Sequence, residues 1–91
     1  MYRITLSEQA RKDYLYFSRS GNKAILNKIR NLLEDIAAHP YTGTGKPEPL
    51  KYELAGKWSR RINSEHRIIY SVHDEMIEVY IFSMKYHYSK K

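Results

Sequence analysis

The spacing of apolar residues changes once along this chain, at a central segment rich in glycine and proline, residues 41–49. Before this segment, apolar side chains recur every three to four residues, which places them on one face of a helix. After it, they alternate with polar side chains in short runs, which is the pattern of β-strands. Helices and strands therefore occupy separate parts of the chain, and this separation predicts an α+β fold.

Two helices are predicted before the central segment. The first covers residues 8–19 and follows Ser7, which can cap its N-terminus. The second contains the apolar positions of residues 25–36 and ends before Pro40, because the residue preceding a proline disfavours helical geometry. Apolar and polar residues alternate over residues 2–6, so a short strand is predicted ahead of both helices.

Four further strands are predicted after the central segment, over residues 50–54, 57–62, 67–72 and 76–84. Only short turns separate them, and connections this short join antiparallel neighbours. The predicted order is β-α-α-β-β-β-β, with the two helices packed on one face of a small twisted antiparallel sheet. We expect residues 1–91 to form a single domain, since a chain of this length supports one core.

The chain carries 16 lysine and arginine residues against 10 aspartate and glutamate residues, a formal net charge of +6. This excess favours a polyanionic partner, because basic side chains displace the counterions of phosphates, although solubility alone would also explain it. Cysteine is absent, which excludes disulfide and thiolate chemistry. No apolar run is long enough to span a membrane and no signal peptide opens the chain, so we expect a cytoplasmic protein without membrane contact.

Alternation in the strands at residues 57–62 and 67–72 separates apolar from basic side chains. The apolar residues of one face are Trp58, Ile62, Ile68 and Val72. If these pack on the helices, Arg61 and Arg67 project together from the opposite face, whereas Arg60 shares the apolar face. Two neighbouring guanidiniums repel unless an anion lies between them, which is consistent with a site for an anion. Pairing of each arginine with a nearby glutamate, Glu53, Glu65 or Glu78, explains the charges equally well at this point.

Two further residues could carry acid–base chemistry. Glu48 stands between two prolines, which hold its backbone extended and limit the freedom of its side chain. A carboxylate held in this way suits a general base, but exposed glutamates are also common in ordinary turns. His87 directly follows the last predicted strand and could donate a proton near neutral pH, although a lone histidine near a terminus usually has no such role.

A fixed carboxylate, a histidine and a group of cations are sufficient for RNA cleavage without a metal. The carboxylate takes the proton of a 2′-hydroxyl, whose oxygen attacks the adjacent phosphorus while cations stabilise the developing charge and the histidine protonates the departing 5′-oxygen. No cofactor is expected, and no metal site is expected either, because the four histidines lack the spacing of metal ligands. A module that only binds an anionic partner needs the cations alone, so it is the alternative.

Four segments occur in order over nearly the whole chain: KPEPLK at residues 46–51, WSRRI at 58–62, EHR at 65–67 and YHY at 86–88. Together they resemble the Txe/YoeB family of bacterial toxins, within the RelE superfamily. The combination is far more specific than any single segment.

The resemblance implies the toxin of a type II toxin–antitoxin system, an endoribonuclease that depends on the ribosome and cuts mRNA in the A site. It also implies inhibition by a YefM-type antitoxin and contact with operator DNA only through the antitoxin complex, and it allows for a homodimer. By this resemblance Glu48 is the general base, His87 the general acid and Arg67 the arginine that stabilises the transition-state phosphate. The further site positions that it implies are Lys46, Lys51, Arg61 and Tyr88. The alternative from a different class is a catalytically silent basic module that acts only with its antitoxin, in co-repression on DNA.

Overall fold

Residues 1–85 are described by a computed structural model, and within them the chain forms two helices and five strands. In chain order the elements are β1 (Arg3–Leu6), α1 (Glu8–Ser20), α2 (Lys23–Ala38), β2 (Glu48–Pro49), β3 (Trp58–Arg61), β4 (Arg67–His73) and β5 (Glu78–Ser83). Both helices lie where the spacing of apolar residues predicts them. No helix within this part of the chain is long and apolar enough to cross a membrane.

Both helices begin at side chains that cap their first amides. Ser7 Oγ accepts a hydrogen bond from the Ala10 amide at 2.9 Å, and Asn22 Oδ1 accepts one from the Ile25 amide at 3.1 Å. Gly21 ends α1 with a φ of 78°, in the left-handed region that glycine enters without strain. This tight turn brings α2 back against α1, so that the two helices contact each other above the sheet.

The five strands form one sheet in the order β1-β5-β4-β3-β2. The pairs β2–β3, β3–β4 and β4–β5 are antiparallel, whereas β1 pairs with β5 in parallel. The sheet is therefore mixed, and the prediction of a wholly antiparallel sheet is wrong at this edge. Short turns fix the direction only of the strands that they join, and β1 is separated from β5 by the rest of the fold.

Two predicted strands have different limits in the structure. Residues 50–54 are not a strand, because Tyr52 adopts a φ of 59° and opens a short 3-10 turn. The strand before β3 is instead Glu48–Pro49, inside the segment predicted to be irregular. The last strand begins at Glu78 rather than at residue 76, since Ile77 adopts a φ of 51°. In both places a left-handed residue interrupts the extended backbone.

The helices cover one face of the sheet, and the hydrophobic core lies between them. The core residues are Ala10, Phe17, Ile29, Leu32, Ile36, Ile62, Ile68, Tyr70, Val79, Ile81 and Met84. Ile62 and Ile68 face the helices as predicted, and Trp58 and Val72 pack against the same core. The α+β architecture with two helices on one face is thereby confirmed. The opposite face of the sheet is called the helix-free face below; it carries Ser59 and Arg61 of β3.

Candidate active site

Two arginines lie opposite each other on the helix-free face. Arg61 of β3 and Arg67 of β4 are paired in the register of the sheet, which is the placement that alternation predicts. Side chains at directly opposed positions have Cβ atoms about 4.5–5.5 Å apart, so the two arginine side chains leave the sheet from adjacent positions. Arg61 is exposed, whereas the side chain of Arg67 is only 12% exposed.

Glu48 contacts Arg67 on this face. Strand β2 places Glu48 opposite Ser59 of β3. Arg67 Nη1 donates to Glu48 Oε1 at 3.3 Å and to Ser59 Oγ at 3.2 Å. Ser59 is completely buried, whereas the side chain of Glu48 is 53% exposed. The carboxylate is therefore held from the protein side by Arg67 and stays open to an incoming substrate on its other side.

The alternative explanation, that nearby glutamates neutralise the arginines, holds for Arg67, but its partner is not one of the glutamates named for that role. Arg67 does form an ion pair, but with Glu48 itself rather than with a glutamate of the turns. Glu78, one of the alternative partners, lies 3.7 Å from Arg3 Nη2. The ion pair thus joins two of the residues that the sequence marks as candidates for chemistry.

Ser59 also belongs to this cluster, although it is not among the residues predicted for the site. It lies two residues before Arg61, and alternation places residues so spaced on the same face of a strand. That spacing is the signal that could have identified it. Its hydroxyl gives the Arg67 guanidinium a buried acceptor.

The backbone before Glu48 has an unusual conformation. Gly45 has a φ of 77° and Lys46 a φ of 53°, both in the left-handed region. The Gly45 carbonyl accepts a hydrogen bond from the Arg61 amide at 2.7 Å, which ties the segment to the end of β3. Two flanking prolines and the pairing with β3 then hold Glu48 extended, as its sequence context predicts.

The two lysines predicted for the site lie on either side of β2. Lys46 precedes the strand, Lys51 follows it, and both are exposed. Within residues 1–85, neither of these lysines nor Arg61 takes part in an ion pair. The three side chains are cations that an anionic ligand beside the Glu48–Arg67 pair could use.

Arg60 projects from β3 in the opposite direction, into the space between the sheet and α2. It is completely buried, and its Nη1 lies 2.6 Å from Asp35 Oδ2. The hydrogen bond from Arg60 lowers the pKa of the Asp35 carboxyl below its usual value. Burial raises the pKa of Tyr70, whose hydroxyl oxygen accepts a hydrogen bond from Arg60 Nε at 3.0 Å. Arg60 is thus not part of the helix-free face, although it lies between two residues that are.

The candidate residues His87 and Tyr88 lie outside the described residues. Strand β5 ends at Ser83, which pairs with Ile69, two residues along β4 from Arg67. The chain therefore leaves the sheet at the end where Arg67 begins β4. The roles of His87 and Tyr88 stay predictions.

The described groups can accept a proton at Glu48 and bind phosphate oxygens at Arg67 and Arg61. Across residues 1–85, no three side chains of histidine, aspartate or glutamate come close enough together to hold a metal ion. A carboxylate and two guanidiniums on one face suit an anionic substrate whose cleavage requires a proton acceptor.

Comparison with known proteins identifies relatives over nearly the whole chain. A family model for the YoeB-like toxin of bacterial type II toxin–antitoxin systems matches residues 6–88. The toxin YoeB of Synechocystis sp. is 44% identical over 88 residues, which cover 97% of this chain and 99% of that protein.

Two solved structures from Staphylococcus aureus have the same fold. One is a heterotetrameric YoeB–YefM toxin–antitoxin complex; its matching chain is 46% identical with a TM-score of 0.82, covering 97% of this chain and 99% of that chain. The other is a YoeB dimer, also 46% identical with a TM-score of 0.82, covering 96% of this chain and 98% of that chain. Sequence and fold agree, and the chain belongs to the YoeB-like toxins of bacterial type II toxin–antitoxin systems.

Proposed function

We propose that this toxin is a ribosome-dependent endoribonuclease that cuts mRNA in the A site and thereby inhibits translation. The observation that carries the proposal is the contact between Glu48 and Arg67, at 3.3 Å, on a face that also presents Arg61. Cleavage of RNA by its own 2′-hydroxyl needs a proton acceptor and a cation close to the same phosphate. This pair supplies both groups without a cofactor.

In the proposed reaction Glu48 takes the proton of the 2′-hydroxyl, and the 2′-oxygen forms a bond to the adjacent phosphorus. The bond between phosphorus and the 5′-oxygen breaks, which leaves a 2′,3′-cyclic phosphate on one fragment. The departing 5′-oxygen receives a proton from His87. Charge that builds on the phosphoryl oxygens is stabilised by Arg67 and Arg61.

The Glu48–Arg67 contact also suggests how substrate binding prepares the base. A phosphate is a strong acceptor for a guanidinium, so it competes with Glu48 for the Arg67 Nη1 donor. Once Arg67 has turned to the phosphate, the carboxylate loses this partner and can accept the 2′-hydroxyl proton. Lys46 and Lys51 would bind neighbouring phosphates of the RNA, and Tyr88 would help to arrange the site.

For partners we propose a YefM-like antitoxin, the ribosome with mRNA in its A site, and a second copy of this chain. The relatives from Staphylococcus aureus, a YoeB–YefM heterotetramer and a YoeB dimer, support the antitoxin and the second copy. The net charge of +6 suits an acidic antitoxin segment that folds as it covers the cationic face. Operator DNA would be contacted only through the antitoxin complex. Because the proposed substrate is mRNA on the ribosome, the activity would take place in the cytoplasm.

The test is cleavage of mRNA on programmed ribosomes, with naked RNA as the comparison. We expect the wild-type toxin to give one discrete cut at the A site. Glu48→Gln removes the proton acceptor and keeps the size of the side chain, so it should slow cleavage by about 10²–10⁴-fold. Arg67→Ala and His87→Gln should likewise abolish cleavage and growth arrest.

Glu53→Gln is the matched control, because Glu53 is an exposed glutamate in the turn after β2. It loses the same charge and should cut at the wild-type rate. If Glu48→Gln, Arg67→Ala and His87→Gln all stay as toxic as the wild type, the assigned site is wrong. If the wild-type toxin makes no cut at any concentration but still binds an antitoxin, the chain is the catalytically silent binding module.

A further inference from the structure

We propose that Arg60 is a positioning residue, whose buried guanidinium fixes residues 39–45 and, through them, the place of Glu48 beside Arg67. The inference rests on the function proposed above, since it treats Glu48 as the proton acceptor. Arg60 does not reach the helix-free face, so any effect that it has on the reaction is exerted through the backbone that it holds.

A guanidinium has five N–H donors, and all five of Arg60 have an acceptor inside the protein. The acceptors are Tyr70 Oη at 3.0 Å, Asp35 Oδ2 at 2.6 Å, and the backbone carbonyls of Thr44 at 2.9 Å, Thr42 at 2.8 Å and His39. Three of the five acceptors thus belong to the backbone of residues 39–45.

The partners of Arg60 hold the same segment from two other directions. Asp35 Oδ2 accepts a hydrogen bond from the Thr44 amide at 3.1 Å, and Tyr70 donates to the Pro40 carbonyl at 2.7 Å. If the guanidinium were removed, the carbonyls of Thr42 and Thr44 would lose this donor, and the His39 carbonyl would keep the longer hydrogen bond from the Thr42 amide, at 3.4 Å. Hydrogen bonds from a charged group are among the stronger ones, so their loss would loosen the segment. Arg60 thus supplies most of the side-chain hydrogen bonds that hold the segment, and it also contacts the two residues that supply the others.

Two glycines allow residues 39–45 to lie close against α2 and β3. A Cβ on Gly43 would lie 2.0 Å from Asp35 Oδ2, and one on Gly45 would lie 2.8 Å from Leu32 Cδ2 and 3.1 Å from the Arg61 carbonyl oxygen. No larger residue fits at either position without displacing the segment or its neighbours.

Residues 39–45 lead directly to Glu48. Gly45 accepts a hydrogen bond from the Arg61 amide at 2.7 Å, and Glu48 pairs with Ser59 only three residues later. Ser59 and Arg61 are the chain neighbours of Arg60. The side chain of Arg60 thus fixes the strand and the segment that together orient Glu48.

The principal variant is Arg60→Lys, which keeps the charge but has three donors on a flexible stem in place of the planar group of five. With catalytic groups displaced by about 1 Å, a loss of about 10²-fold is typical, so we expect kcat on programmed ribosomes to fall by about 10- to 100-fold. KM should change less than kcat, because Arg61 and Arg67 lie on β3 and β4, outside the displaced segment. Val79→Ala is the control for stability, since Val79 is buried in the core on β5, away from the segment.

A second pair of variants tests the segment without removing Arg60. Gly45→Ala and Gly21→Ala place a side chain on nearly identical backbones, with φ values of 77° and 78°, but Gly21 has open space around it. Gly45→Ala should lower kcat at least about tenfold and Gly21→Ala should not, because only the former displaces the segment. Hydrogen exchange of the Thr44 and Arg61 amides, which needs no activity, should be faster in Arg60→Lys and Gly45→Ala than in Gly21→Ala.

The outcomes separate this inference from the function on which it rests. If the wild type cuts and both Arg60→Lys and Gly45→Ala keep its kcat, the positioning role is overturned and the proposed function stands. If Val79→Ala loses as much activity as Arg60→Lys at equal loss of stability, Arg60 is structural only and the inference fails. If the wild type cuts nothing, the proposed function fails. If, in addition, the Thr44 and Arg61 amides exchange as slowly in Arg60→Lys as in the wild type, Arg60 does not order the segment either.

Discussion

Within residues 1–85, Arg67 donates hydrogen bonds to two side chains of the helix-free face, and these two differ in exposure. Ser59 is completely buried within β3, whereas the side chain of Glu48 is 53% exposed. Both donor–acceptor distances, 3.2 Å to Ser59 and 3.3 Å to Glu48, are longer than the 2.7–2.9 Å that is usual for charge-assisted bonds. A phosphate can therefore replace Glu48 at the guanidinium while Ser59 keeps the group in place.

This arrangement predicts a measurable effect of Ser59→Ala. Loss of the buried acceptor should lower kcat for ribosome-dependent cleavage by about tenfold, since a hydrogen bond to a charged group contributes about 1.5 kcal/mol or more. The control is Ser71→Ala on β4, because the Ser71 hydroxyl contacts His73 Nε2 at 2.9 Å instead of Arg67. Equal rates for the two variants would show that Ser59 does not orient Arg67.

At the same scale, alternation along two strands was enough to predict that Arg61 and Arg67 share a face. The contact between Arg67 and Glu48 was not predictable in this way, because it depends on the register of β2 against β3. Arg60 was recognised only as a charge on an apolar face. Its partner Asp35 lies 25 residues away in the sequence, and no local pattern joins the two.

At the scale of elements, the pair Asp35–Arg60 joins α2 to β3 across the core. Asp35 has its pKa lowered chiefly by the hydrogen bond from Arg60. A lowered pKa means that the folded state favours the ionised carboxyl more than the unfolded state does. The stabilisation that this ion pair gives is therefore complete above the pKa that Asp35 has in the unfolded state, near 3.9. It is lost as the pH falls through the lower pKa that Asp35 has in the folded state.

Asp35→Asn should consequently destabilise the toxin most at neutral pH. Denaturant unfolding at pH 7 and at about pH 3 should show a difference from the wild type that shrinks at the lower pH. Glu34→Gln is the control, because Glu34 is the exposed neighbour of Asp35 on α2 and its curve should stay parallel to that of the wild type. A difference between Asp35→Asn and the wild type that is constant with pH would contradict the linkage.

Part of the element pattern was predicted correctly from the sequence, and the errors are the pairing of β1 and the limits of two strands. The two helices and the strands β3 and β4 follow from periodicity alone. The parallel pairing of β1 with β5 does not, because residues far apart in the chain choose each other through the shared core. Residues 50–54 alternate like a strand, but the left-handed Tyr52 ends the extended backbone there.

For the whole molecule, the positive charge is spread rather than concentrated. Residues 1–45 carry seven basic and four acidic groups, and residues 46–91 carry nine and six, so each half has a net charge of +3. In the proposed function, the total charge would attract the toxin to RNA without indicating where the site lies, and cleavage would depend on the few groups around Arg67. Lys23 and Lys28 are exposed on α2, which packs on the other face of the sheet, so they can contribute only to this general attraction.

We expect kcat/KM on ribosomes to fall by about tenfold or more as monovalent salt rises from about 50 to about 200 mM at constant Mg²⁺, because salt weakens attraction to phosphates. The value of kcat should change little, since the bound complex is already formed. Lys23→Gln combined with Lys28→Gln should lower kcat/KM at low salt, reduce its dependence on salt and leave kcat unchanged. Glu8→Gln combined with Glu34→Gln removes two exposed charges of the opposite sign, one from α1 and one from α2, so it should raise kcat/KM at low salt. A kcat/KM that does not respond to salt in any of these proteins would show that charge does not guide the approach to the ribosome.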